Sequence, residues 1–117
     1  MTGTDAVALL IERFPALMER VDDHSDLFEM PHVTYGLLGT ELLENSGDEA
    51  LFNGVSQFID ELANSGDDLL EELLVINVLE GIAQDSNLAT KLSTRISPKA
   101  ASFLKAVERD YFGRQRS

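Results

Sequence analysis

The chain has 117 residues, 44% of them apolar, no cysteine and a net charge of −12. That is one ordinary domain, residues 1–117, with enough apolar side chain for a single core; the lack of cysteine excludes disulfides, thiolate catalysis and zinc–thiolate sites. The opening MTGTDAVALL has neither the positive region nor the long apolar run of a signal peptide, and the longest unbroken apolar run, Ala6 to Ile11, is far short of the ~20 residues of a membrane span, so the chain reads as cytosolic.

Residues 5–21 place Val7, Leu10, Ile11, Phe14, Leu17, Met18 and Val21 at helical spacing, with Thr4 as the expected N-cap. Pro15 interrupts this pattern without changing its phase, which predicts two short helical pieces sharing one buried face. Residues 22–32 are polar, contain Pro31 and read as a loop. A helix is expected over 33–45, despite Gly36 and Gly39, each of which costs about 1 kcal/mol in a helix interior relative to Ala.

The tetrad Asn-Ser-Gly-Asp then occurs twice, at 45–48 and at 64–67. In each copy glycine can take the left-handed conformation that ends a helix, and aspartate can cap the next one. At the first copy Ser46 and Glu49 also match a capping box, which would put the boundary two residues earlier. Connections this short set neighbouring helices antiparallel. Between the tetrads, Leu51, Phe52, Val55, Phe58, Ile59 and Leu62 share one helix face. After the second tetrad, residues 67–83 are apolar almost all round, the mark of a helix at the centre of a domain. A helix over about 86–94 follows, and Ser97-Pro98 opens the last one, whose inward stripe is Ala100, Phe103, Leu104, Val107 and Tyr111. The expected fold is all-α, with five or six helices packed in antiparallel pairs. HEAT-like hairpins are one form of such pairing, but the nineteen-residue spacing of the tetrads marks a repeated turn, whereas a helix pair repeats at about 40 residues or more.

Charge is placed unevenly. Residues 21–90 hold sixteen Asp and Glu and no Lys or Arg, whereas the segment from Lys91 holds seven basic residues against Glu108 and Asp110. A surface of one sign destabilises the compact state through self-repulsion. Either solubility or a basic partner accounts for it. Phosphate contacts need clustered Lys or Arg, so nucleic-acid binding is disfavoured, and the C-terminal Arg109, Arg114 and Arg116 are the one place for it. Asp48, Glu49, Asp60, Glu61, Asp67, Asp68, Glu71 and Glu72 surround the two tetrads as a candidate partner-binding wall. Acids in a first helical turn also interact well with the helix dipole, which accounts for one or two of the four at 67–72.

No catalytic motif appears. Asp22-Asp23-His24 are adjacent, unlike the spaced ligands of a structural zinc site, and His32 is placed to bond backbone at a helix start. The paired carboxylates lie on polar faces, without the unlike environments that general acid–base work needs. There is no phosphate-binding glycine loop, no G-x-S-x-G and no H-E-x-x-H. The sequence points to no enzyme, no metal and no cofactor.

The segment Leu27–Gly36, with Pro31-His32-Val33-Thr34-Tyr35-Gly36 at its centre, and Phe58–Asp67, continuing to Val78-Leu79-Glu80-Gly81, together resemble a small, uncharacterised bacterial family of all-helical proteins. Phe14-Pro15 and Ser97-Pro98-Lys99 occur in a similar order. These are packing and turn residues, so the resemblance bears on fold more than on activity. Members resemble proteins encoded beside secreted toxins. The resemblance implies an immunity protein that binds and blocks a cognate toxin domain and has no catalytic residues. An acidic wall suits a toxin with a basic cleft, because charge complementarity raises association rates. A helical adaptor without a toxin is the alternative reading.

Overall fold

A computed structural model describes the backbone of residues 1–21 and 24–116, and the side chains of residues 1–21 and 26–110. Helix α1 spans Gly3–Arg13. Its N-cap is Thr2, not Thr4: the Thr2 hydroxyl accepts from Asp5 N at 3.1 Å and the Thr2 carbonyl accepts from Ala6 N at 3.0 Å, so the helix starts at Gly3. Pro15 ends it as expected. Phe14 is pushed to φ −134° and ψ 68°, and a 3-10 turn, Pro15–Arg20, carries Leu17 back into the core.

The expected loop over 22–32 is a correction. It contains helix α2, His24–Glu29, and the break falls at Met30, which takes almost the same pre-proline conformation as Phe14 (φ −127°, ψ 69°). Pro31 then opens α3, Pro31–Glu44. Leu27, 2% exposed, anchors α2, a side chain that alternation alone left in a polar stretch.

Both tetrads stop one helix and start the next by the same bonds. The side-chain amides of Asn45 and Asn64 donate to the carbonyls of Glu41 and Asp60, four residues back. The carboxylates of Asp48 and Asp67 accept from Leu51 N and Leu70 N, each at 3.1 Å. The glycines differ. Gly66 is left-handed (φ 71°), as the sequence predicts, but Gly47 is not. At the first turn Asp48 N donates to the Asn45 carbonyl at 2.9 Å, which closes the turn without a left-handed residue. Asp48 is the N-cap there, so the Ser46–Glu49 capping box does not form.

Helix α4, Glu49–Ala63, buries Phe52, Val55, Phe58, Ile59 and Leu62. The central rod follows as α5 (Asp68–Leu73), a π-helical stretch (Leu74–Leu79) and α6 (Glu80–Ala83), all in continuous right-handed helix. Glu80 N donates to the Val75 carbonyl, five residues back. Leu70, Leu73, Leu74, Val78, Leu79 and Ile82 are buried, whereas Ile76 is 48% exposed, so the rod is not enclosed on every side. Helix α7 (Ser86–Ser93) is capped by Asp85, and α8 (Pro98–Arg116) starts at the foreseen Ser97-Pro98. Ala100, Leu104 and Val107 of α8 are buried; the Tyr111 side chain lies outside the described residues.

The described residues are 82% helical and form one globule without strands. They contain eight α-helical segments rather than five or six. The difference comes from α2 and from the π stretch, which divides one rod into α5 and α6. One aromatic cluster ties α1, α3 and α4 together. Phe14 meets Phe58 edge to face (5.5 Å between centroids), and Tyr35 stacks on Phe58 at 6.3 Å. The buried Tyr35 hydroxyl donates to the Ala6 carbonyl at 2.6 Å. Burial, with a smaller contribution from the charge of Glu61, pushes that phenol well above its ordinary range.

Gly39 is where α3 meets the rod. A Cβ there would stand 3.4 Å from the Val78 carbonyl oxygen and 3.6 Å from that of Asn77. A side chain larger than Ala has only backbone to enter. Gly36, one turn earlier, faces open space. Gly39→Val is therefore expected to destabilise the protein by about 1–3 kcal/mol through overpacking, while Gly36→Ala is expected to stabilise it by roughly 0.5–1 kcal/mol. Urea unfolding of the two variants checks both signs. The tetrads give a second pair: Gly66→Ala is expected to cost about 1 kcal/mol for its left-handed backbone, whereas Gly47→Ala is expected to cost less than half as much in the same assay.

Candidate functional site

The eight carboxylates around the tetrads divide between the two ends of α4. Asp48 and Glu49 begin α4, and Asp60 and Glu61 lie near its other end, about 20 Å away along the axis at 1.5 Å per residue.

At the first end, Glu49 holds Lys91 at 2.5 Å and Arg95 at 3.8 Å, which fastens α7 to the start of α4. The same two cations lie over the ring of Phe52, at 4.3 and 5.4 Å from its centroid. The hydrogen bond from Lys91, then its charge, holds Glu49 below the usual carboxylate range. A cavity of about 280 Å³, lined by Ser46, Asp85, Asn87, Leu88 and Lys91, opens beside this turn. Its two charged side chains already have work: Asp85 caps α7, and Lys91 is bound to Glu49.

At the second end, Asp60 accepts from Ser97 N at 2.6 Å, and Asn64 donates to the Ser97 hydroxyl at 3.2 Å. These bonds hold the start of α8 against the end of α4. Sequence reading placed Asp60 on a partner face and missed this role, because the two residues are 37 positions apart. Glu61 makes a two-pronged pair with Arg13, at 2.5 and 2.8 Å. Glu71 lies 3.5 Å from Lys99. Asp67, besides capping α5, binds the Met1 ammonium at 2.9 Å. That bond, followed by the one from Leu70 N, holds Asp67 below the usual range.

Six of the eight thus have intramolecular partners. Asp68 and Glu72, both exposed, have no ion pair or hydrogen bond to another side chain among the described residues. They remain the uncompensated charge at this end. Elsewhere, Arg20 bridges Glu41 and Glu44.

Among the described residues His32 makes no bond to backbone, contrary to what the sequence led us to expect. Its Nδ1 lies 3.0 Å from the Asn77 side-chain nitrogen, because Asn77 sits on the π stretch directly facing the start of α3. Asp22 and Asp23, and the side chain of His24, lie outside the described residues. Among the described residues, no group of three His, Asp or Glu is placed to hold a metal ion, and no buried side-chain nitrogen or oxygen lacks a hydrogen-bond partner. No described helix is long and apolar enough to cross a membrane. Comparison with protein-family models, curated proteins and solved structures finds no match to the chain.

Because Glu49 and Asp67 both have folded pKa values below their ordinary 4.5 and 3.8, each contributes stability above that value and loses it as pH falls through the lowered one. Glu49→Gln is expected to lower the melting temperature at neutral pH. The gap to wild type should close as the pH is taken below about 4.5. Thermal unfolding across the acid range measures this.

Proposed function

We propose that the protein is a cytoplasmic immunity protein, which binds and neutralises a cognate bacterial toxin domain through its acidic second turn. The supporting observation is the pair of exposed, uncompensated carboxylates, Asp68 and Glu72, at the start of the central rod. Asp67 and Glu71 adjoin them, and the cations paired with these two are exposed or half-exposed. Exposed ion pairs are worth about 0–1 kcal/mol, so a partner's Lys or Arg can replace the internal cation at little cost. Asp48, Glu49, Asp60 and Glu61 extend the negative field along α4. On this reading the short tetrad turns set antiparallel, HEAT-like hairpins as the frame that presents these acids. The partner is a toxin domain with a basic cleft, and fast, steered association lets the inhibitor act before the toxin does.

The test begins with the product of the gene beside its own. Co-expressed with this chain, it is expected to co-purify as a stable complex. Asp68→Lys with Glu72→Lys leaves the caps and the ion pairs in place. That double variant is expected to keep its helical circular dichroism and to associate at least ~10-fold more slowly in stopped-flow mixing at low salt. An unchanged rate would remove the acidic turn from the contact. Absence of any complex would remove the immunity reading itself.

A further inference from the structure

A second surface lies away from the eight carboxylates, none of which lines it. Val21, Leu27, Met30, Val33, Thr34 and Leu37 enclose a cavity of about 210 Å³ between the end of the 3-10 turn and helices α2 and α3. Its floor is closed to polar ligands. Leu27 is buried, and the buried Thr34 hydroxyl is already spent on the Leu27 carbonyl at 2.6 Å and the Met30 carbonyl at 3.0 Å. Its rim is apolar and open: Met30 is 51% and Val33 55% exposed. They are two of the four large apolar side chains exposed among the described residues. Burying one such side chain in a partner contact is worth about 1.5–3 kcal/mol, so a rim like this is costly to leave in water.

Size and charge select the occupant. Sites for drug-sized ligands run to roughly 300–1,000 Å³, so this one fits a single side chain. Asp26 lines the cavity and Glu29 is exposed on the same helix. Residues 21–30 carry four carboxylates and no Lys or Arg. The adjacent Arg20 is taken up by Glu41 and Glu44. A second copy of this chain, itself carrying −12, is repelled.

We propose that this groove is a docking site for an aliphatic side chain borne on a Lys- or Arg-rich segment of a partner protein. The aliphatic group fills the space between Met30 and Val33, and its basic neighbours face Asp26 and Glu29. Met30, unbranched and adaptable, shapes the rim to the incoming chain. The site stands whether or not the partner is a toxin, since it uses none of the residues at the second tetrad.

The experiment titrates the full chain, with labelled methyl groups, against a synthetic peptide of Lys and Leu with two leucines four residues apart. It is run near physiological ionic strength, where exposed charges beyond ~8 Å are screened. The methyl signals of Val21, Met30 and Val33 are expected to shift together. Val33→Glu and Met30→Ser, both at exposed positions, are each expected to keep the wild-type melting temperature within a few degrees and to weaken binding at least ~10-fold, about 1.4 kcal/mol. A peptide with Ser in place of Leu is expected not to bind. Equal binding by the Ser peptide, or by both variants, would reduce the contact to general charge attraction and overturn the proposal. Sedimentation showing a wild-type dimer that Val33→Glu dissolves would overturn it as well, by assigning the groove to a second copy.

Discussion

The approach of α3 to the central rod at Gly39 governs the packing around it. The carbonyls of Asn77 and Val78 on the π stretch lie against α3, and only a residue no larger than Ala fits beside them. With that contact made, Tyr35 and Leu38 fall into the core on one side of α3 and Leu42 one turn further on. Tyr35 then reaches Ala6 and stacks on Phe58, so α1 and α4 are positioned through the same helix. A glycine that costs helix propensity locally is offset by burial of the whole interface.

The charges follow a second logic. Arg13, Arg20, Lys91, Arg95 and Lys99 each hold a carboxylate belonging to a different element. Each bond is individually small in water. Placed where acidic helices converge, they reduce repulsion at the joints between α1 and α4, α3 and the 3-10 turn, α4 and α7, and α5 and α8. The uneven sequence distribution is thereby turned into local neutrality at contacts and negative charge elsewhere. The polarity of the surface is a residue of this pairing, and Asp68 and Glu72 are where it shows.

Much of this fold could be read from the chain. Periodicity located α4, α7 and the start of α8, because their apolar stripes are clean and their caps (Asp48, Asp85, Ser97) are strong. Pro15 was legible as a break for the same local reason. Helix α2 was not, since a six-residue helix is too short to show a period; Leu27 is the buried side chain among its described residues. The π stretch was also hidden, because local propensity carries no sign of it. At the candidate site, the sequence showed which residues are acidic but not which are already engaged. Asp60 with Ser97, Glu61 with Arg13 and Glu49 with Lys91 join positions 37 to 48 residues apart, and only the folded chain brings them together.

Short turns have a kinetic consequence. Helices joined by a few residues meet with little loss of loop-closure entropy, and helical domains fold in microseconds to milliseconds (~10⁻⁶ to 10⁻³ s). The slower events are the closures that span the chain: His32 to Asn77, Asp60 to Ser97, and Gly39 against Val78. All three need the central rod or the helix before it as a template.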